Sequence, residues 1–501
     1  MRRPAWGPTV QVGLVAFGIS ALAQGVAQRL DIVHAFWDAQ AHLDIARRLH
    51  DATTPGLQML GTVWLPIPHL LLFPFTLVDA WWWSGLAGGL VGMLATTGLA
   101  IALHDLVARR TGRQGWGWFA ALLAILTPSY LYLQTTAMTE PVLLAFLTGA
   151  VALLDRWLAD RAQGRALLGA GILTALAVGS RYDGWFFAAC AGLTVLAVAR
   201  DLRPALRFAW PVAVMALAWL AYNAAYFGDP LEFQRGVWSA QAQQQALAAQ
   251  GLLPDRGNLP GAVASYLGAA GLTLGWVTLG VGMLAILFVA MHRLSGTAAV
   301  LLMASALPFN LLALVLGQSV ISLPWDEPPG VANLRYGVML LPAVVTALAL
   351  AGAALAERWG RRGTLLAMAV VVAVQAGLTV AGGVPAIGAL REGLAIRDGD
   401  PAQMRASRWL ATHWDRGRIL VAPAVNISPR TRIPLKDRVY PWTWQLGEAA
   451  LANPAEAVDW VVVDWRATSD PVAQAMADRP AFRQRFARVF ADRELEIWRR
   501  R

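Results

Sequence analysis

Four short stretches of this 501-residue chain carry residue types able to do chemistry. The first reads Phe36-Trp37-Asp38-Ala39-Gln40-Ala41-His42-Leu43-Asp44 and lies between the first two apolar runs. If 38–50 is helical, Asp38, His42, Ile45 and Leu49 share one face at i, i+4, i+7 and i+11, which sets a carboxylate and an imidazole above an apolar stripe. A loop so rich in Trp, Pro, His and Asp, continuing through Pro66-Ile67-Pro68-His69, can hold a polar headgroup beside a membrane. The plainer reading is an amphipathic interfacial helix capped by Asp38, and spacing alone leaves both open. The second stretch is Thr139-Glu140-Pro141, where a carboxylate at the edge of an apolar run is costly unless it is paired or functional. The third, Ser180-Arg181-Tyr182-Asp183-Gly184-Trp185, offers a guanidinium and a carboxylate, or simply a surface pair that satisfies itself. The fourth, Asn333-Leu334-Arg335-Tyr336, offers a cation, or interfacial anchoring by Arg335 and Tyr336.

The elements that must position these residues are apolar. The chain is 57% hydrophobic and only 14% charged, whereas soluble domains carry roughly 25% charged residues. With a span of roughly 20 apolar residues as the ruler, candidate spans fall at 8–27, 80–103, 116–134, 139–156, 166–180, 184–199, 208–227, 267–290, 297–317, 336–356 and 364–383. These make an all-α polytopic domain of about 11 transmembrane helices over 1–385. The first span follows Met1-Arg2-Arg3 and resembles a signal peptide, but it is long and lacks a small-residue cleavage site, so it reads as retained.

Arginine sets the orientation, because basic residues of short loops stay on the cytoplasmic side. The loops at 1–10, 104–115, 155–165, 200–207, 291–296 and 357–363 hold 15 arginines, among them Arg109, Arg110, Arg113, Arg156, Arg161, Arg165, Arg200, Arg203, Arg207, Arg358, Arg361 and Arg362; the alternate loops hold 7. The net charge of +10 is therefore spread over short interhelical clusters. That distribution argues for topology and against nucleic acid as a partner. Lys436 is the single lysine and Cys190 the single cysteine, so no intrachain disulfide can form.

An odd number of spans puts 390–501 outside the cytoplasm, with the long loops 28–79 and 228–266. The tail alternates a helical stretch at 401–414, a strand run Ile419-Leu420-Val421, a helix after Trp444, a strand run Trp460-Val461-Val462-Val463 and a terminal Leu495-Glu496-Ile497-Trp498. That is the pattern of a small extracytoplasmic α/β domain, read most simply as a lid or acceptor platform without catalytic residues.

The long first outer loop with Asp38 just after span one, Thr139-Glu140-Pro141, Arg181-Tyr182-Asp183-Gly184-Trp185, and Arg335-Tyr336 before a span containing Pro342 together resemble the GT-C superfamily of polyprenyl-phosphate-sugar-dependent glycosyltransferases, in particular its protein mannosyltransferase and aminoarabinose transferase branches. The resemblance covers the whole architecture. One departure is that the protein mannosyltransferases carry an acidic pair in this loop, whereas Ala39 follows Asp38 and Asp44 lies too far round the helix to substitute.

The resemblance implies an inverting hexosyl or pentosyl transfer from a lipid monophosphate to a glycan, lipid or protein acceptor on the outer face of the inner (plasma) membrane, in contact with membrane lipids. Asp38 matches the family's catalytic carboxylate, the general base that takes the acceptor's proton. Departure of the lipid phosphate needs positive charge or a metal. Arg335 and Arg181 are the candidates, with Tyr336 beside them; alternatively Glu140 and His69 support a divalent metal ion. His42 would orient Asp38 or touch the sugar, and Asp183 would position Arg181 or a sugar hydroxyl.

A transporter or flippase of lipid-linked sugars is the rival reading. It predicts paired halves with broken spans and ionisable groups at mid-membrane. The sequence shows no repeat between its halves, and its ionisable residues gather at one face. A non-catalytic scaffold would leave the polar first loop unexplained.

Overall fold

The computed structural model describes residues 7–199, 201–236, 239–327, 330–423, 425–467, 469–477 and 480–501. Arg2, Arg3 and Arg200 of the basic loops lie outside them. The chain divides into two compact units. The first comprises Met1–Leu30, Thr62–Pro68 and Gly89–Glu392; the second comprises Asp31–Gly61, His69–Gly88 and Gly393–Arg501.

The first unit is helical. Among the described residues seven helices are long and apolar enough to cross a membrane: Pro8–Arg29, Leu86–Thr111, Glu140–Ala159, Leu202–Phe227, Thr297–Val315, Leu334–Trp359 and Arg361–Gly382. Gly164–Val178 and Asp183–Ala199 are shorter apolar helices. This makes a multi-pass membrane protein.

Leu334–Trp359 is the packed centre, 89% buried along its apolar window, and Arg361–Gly382 is the most exposed span at 6%. The central helix is rich in alanine, with Ala343, Ala347, Ala349, Ala351 and Ala353 all buried. Small side chains let helices approach closely where lipid supplies no hydrophobic drive between them. At the ends of the helices in the arginine-rich loops, Asp155 accepts from Arg109 at 3.1 Å and Arg110 at 2.8 Å. Asp105 takes Arg156 at 2.5 Å.

Several sequence spans are divided, among them 116–134 and 267–290. The run 116–134 divides into Gln114–Ile125 and Pro128–Leu133, because Pro128 cannot donate an amide to the preceding turn. The run 267–290 is split between Leu259–Leu274 and Trp276–Met291, which meet at 114°. Gly275 sits at the break with φ +87° and ψ 135°. The break uncovers the first amides of the second helix, and the Gln375 side-chain carbonyl accepts from the Val277 amide at 3.1 Å.

The second unit is built on a five-stranded sheet in the order β2-β1-β3-β5-β4. Its strands are β1 (Ile419–Val421), β2 (Arg438–Val439), β3 (Trp460–Asp464), β4 (Phe486–Asp492) and β5 (Leu495–Arg500). β1 runs parallel to β2 and β3, whereas β5 is antiparallel to both β3 and β4. Every residue of β1 and β3 is buried, which is why both read as continuous apolar runs. β5 is the terminal apolar stretch of the sequence. β2 and β4 carry no such run: β2 is two residues long, and β4 is largely exposed and interrupted by Arg488.

The helix Trp37–Arg48 of the first loop belongs to this unit, and eight of its residues, Ala39, Gln40 and His42 through Arg47, are buried. It therefore lacks the lipid-facing stripe that its periodicity suggested. The reason is that its charged residues have protein partners. Asp44 receives Arg438 at 3.3 Å and the Trp82 indole N–H at 3.0 Å. Arg47 contacts Asp51 at 2.9 Å and Asp79 at 2.6 Å. Asp51 in turn accepts the backbone amides of Leu435 and Lys436 at 3.3 and 3.4 Å.

Replacing Gly275 by alanine places a Cβ in a region of backbone space that L-residues avoid, and against the Gln375 side chain. The expected outcome is a loss of about 1–3 kcal/mol, read as a lower midpoint of thermal unfolding in detergent.

Candidate functional site

The residues singled out from sequence fall into two polar clusters, one in each unit. In the first unit, the turn between Gly164–Val178 and Asp183–Ala199 holds Arg181. The turn is tight because Gly184 packs on the Ala177 carbonyl, where a Cβ would collide. Asp183 opens the following helix, where a carboxylate is favoured by the helix dipole. Glu140 opens its helix with Pro141 behind it and is fully buried.

Arg181 Nη1 donates to Glu140 Oε1 and to Thr139 Oγ1, both at 3.1 Å, while its Nε donates to Asp183 Oδ2 at 3.1 Å. Arg335 Nε lies 3.4 Å from the same Glu140 oxygen. The Tyr336 ring centroid is 5.3 Å from both guanidinium carbons, within cation–π range. Glu140, Arg181, Asp183, Arg335 and Tyr336 thus form one cluster, joining residues up to 196 positions apart.

A sixth member was not read from the sequence. Glu392 is fully buried, pairs with Arg335 Nη1, and accepts the Arg335 and Asn333 amides at 3.0 and 2.9 Å. Burial raises the pKa of its carboxyl; Arg335 and the two amides oppose the rise. Its local sequence, Leu390-Arg391-Glu392-Gly393, reads as an ordinary polar helix and gave no signal. Asn333 reaches this position with φ +58°, held by its side-chain amide on the Val320 carbonyl at 2.8 Å. Burial lowers the pKa of Arg181, but Asp183 and Glu140 outweigh it, so the net displacement is upward and Arg181 stays a cation.

In the second unit, Asp38 stands in the first turn of Trp37–Arg48 and is partly exposed. It is not the cap, since Phe36 occupies that position. His42 and His69 are buried, with Nδ1 of the first 2.9 Å from Nε2 of the second. Asp44 lies on the same helix, its carboxyl pKa raised by burial and drawn back down by Arg438. Arg438, also unread from sequence, is buried among the Ile427 and Ile433 carbonyls at 2.8 and 3.2 Å and Asp44.

A divalent cation fits neither Glu140 nor His69 in these arrangements. Two guanidiniums face the Glu140 oxygen and would repel a metal, and His69 commits one ring nitrogen to His42. Among the described residues no group of three or more His, Cys, Asp or Glu side chains is arranged to hold a metal ion.

The chain is similar to ArnT from Cupriavidus metallidurans bound to undecaprenyl phosphate, at a TM-score of 0.58 and 16% identity, over 98% of this chain and 97% of that one. The apo state of the same ArnT gives 0.57 and 15%, over 98% and 96%. The apo oligosaccharyltransferase of Archaeoglobus fulgidus gives 0.52 and 13%, over 92% of this chain and 70% of that one. The chain shares its fold with ArnT and with this oligosaccharyltransferase. No protein-family model and no curated protein sequence matches the chain.

Glu140 is the shared acceptor of two buried guanidiniums, so Glu140→Leu strands positive charge in the interior. Breaking such a pair costs roughly 3–5 kcal/mol. The expected outcome is a large fall in thermal unfolding midpoint in detergent, against a small one for Glu357→Leu, whose carboxylate is mostly exposed at 63%.

Proposed function

We propose that this chain is a membrane glycosyltransferase that moves a sugar from a polyprenyl-phosphate carrier to a lipid, glycan or protein acceptor on the outer face of the inner (plasma) membrane, with inversion. The observation that carries the reading is the full-length likeness to ArnT captured with undecaprenyl phosphate. The proposed arrangement is a membrane domain over 1–385 with about eleven spans, and residues 390–501 outside the cytoplasm.

Asp38 is the proposed general base. The acceptor hydroxyl oxygen attacks the anomeric carbon from the face opposite the phosphate. The carbon–oxygen bond to the phosphate breaks, its electron pair leaves on the polyprenyl phosphate, and the hydroxyl proton passes to Asp38. The leaving oxygen gains negative charge, which guanidinium N–H groups stabilise.

Arg181 commits Nε and Nη1 to protein acceptors. Its Nη2 is therefore the proposed donor to the phosphate, with Arg335 and Tyr336 alongside. Three carboxylates surround the two arginines, so the cluster works by directed hydrogen bonds more than by excess charge. His42, paired with His69, and Asp183 are positioning residues in this scheme.

In detergent, with radiolabelled lipid-phosphate sugars and a lysate supplying acceptors, Asp38→Asn lowers release of polyprenyl phosphate by about 10²–10⁴ while donor binding persists. Equal release by wild type and Asp38→Asn removes Asp38 as base.

Orientation has its own test. In a Cys190→Ser background, a cysteine at exposed Glu448 (Glu448→Cys) is labelled by an impermeant maleimide on intact cells, and one at exposed Arg361 (Arg361→Cys) only after permeabilisation. The reverse pattern overturns the topology.

A further inference from the structure

The helix that opens at Glu140 runs for 20 residues and closes at Ala159, roughly 30 Å further along its axis. At that far end lies a cavity of about 310 Å³, lined by Arg109, Arg110, Arg156, Ala159 and Gln163. All five belong to the first unit. Asp155 takes Arg109 and Arg110, and Asp105 takes Arg109 and Arg156. Three guanidiniums thus share two carboxylates. Arg156 turns Nε and Nη2 to Asp105, which leaves its Nη1 without an acceptor among the described residues.

Two more arginines stand beside the rim. Gln163 precedes the helix Gly164–Val178, which no side chain caps and whose first turn holds Arg165 and no carboxylate. The Arg207 guanidinium packs on Gly164 of the same turn. Arg165 and Arg207 are exposed, and neither side chain makes a hydrogen bond or salt bridge among the described residues. Asp160, three residues before Gln163, accepts the Ala162 amide at 3.0 Å and the Gln163 side chain at 3.2 Å.

The N-terminus of a helix carries the positive end of its dipole and free amides, so it favours anions and disfavours cations. Here two arginines sit at that end, next to three that are only partly neutralised. A bound anion relieves both conflicts at once.

The surroundings indicate the kind of anion. The helices whose ends meet here are long and apolar enough to cross a membrane, which sets the cavity at the bilayer surface. The helix that carries Arg207, Leu202–Phe227, is buried over only 17% of its apolar window. It presents Leu202, Leu206 and Trp210 exposed at i, i+4 and i+8, one stripe running away from the arginine-rich end. A soluble anion makes no use of that stripe. A lipid phosphate uses both features: guanidinium and amide donors hold its oxygens, and its acyl chains lie along the stripe.

We propose that this cavity binds the phosphate group of an anionic membrane lipid, held by Arg156, Arg207 and the first turn of Gly164–Val178, with the acyl chains against Leu202, Leu206 and Trp210. The site lies at the opposite end of its helix from the Arg181–Glu140 cluster, so it is separate from any carrier phosphate bound there. In the orientation proposed above the lipid belongs to the cytoplasmic leaflet; the site itself does not depend on that orientation.

The test is native mass spectrometry of the full-length protein released from detergent, titrated with phosphatidylglycerol or with phosphatidylcholine. A second series adds inorganic phosphate, against chloride at equal ionic strength. The wild type retains phosphatidylglycerol in preference to phosphatidylcholine, and Arg207→Gln and Ala159→Glu each lower that affinity about five-fold or more. Arg207 has no protein partner and Ala159 is exposed, so both variants fold, as thermal unfolding confirms. Arg358→Gln, which removes an exposed arginine from another basic loop, leaves retention unchanged.

Equal retention of the two lipids, retention undiminished in both folded variants, or an equal loss in Arg358→Gln overturns the site. Phosphatidylglycerol that inorganic phosphate does not displace supports the lipid as occupant. Displacement by phosphate and not by chloride keeps the phosphate chemistry and overturns the lipid as its source.

Discussion

Glu140 is a buried carboxylate at the head of an apolar helix, and much of the first unit is arranged around it. Taking such a group out of water costs several kcal/mol unless cations come with it. Arg181 and Arg335 supply them from two other parts of the chain. Each arginine then brings its own requirement. Arg181 needs Asp183 and the tight turn that Gly184 permits. Arg335 needs Glu392, which in turn fixes the backbone at Asn333 through that residue's amide. One buried charge therefore specifies the ends of four helical segments, and it keeps two guanidiniums and an aromatic ring together.

The second unit follows the same rule in a different setting. Asp44 and Arg438 are both buried, 394 positions apart, and each is the other's countercharge. Asp51 adds two backbone amides from the same C-terminal stretch. The helix that carries Asp38 is thereby packed into the unit of the sheet rather than left as a loose loop. A base carried on a packed helix is better held than one on a loop.

Likeness to ArnT at 16% identity shows how little of a fold's sequence must persist. What the likeness shows is a shared fold, which many sequences satisfy. The chemistry has to be argued from particular side chains, and here those are Asp38 and the Arg181–Glu140–Arg335 cluster.

The sequence by itself determined what depends on neighbours along the chain. Apolar runs marked most of the membrane helices, since span length follows from rise per residue and bilayer thickness. Continuous apolar runs marked β1 and β3, the stretch Leu495-Glu496-Ile497-Trp498 marked β5, and Thr139-Glu140-Pro141, Arg181-Tyr182-Asp183 and Arg335-Tyr336 stood out as charges at the ends of apolar helices. Tertiary structure alone decided which charge meets which. Glu392 and Arg438 gave no local signal because their roles are set by partners 57 and 394 residues away. The break at Gly275 was hidden for the same reason: an apolar run reads alike whether straight or bent, and the Gln375 side chain that meets the freed amide lies 98 residues on. Periodicity is a property of the chain, whereas the satisfaction of a buried polar group is a property of the packed molecule.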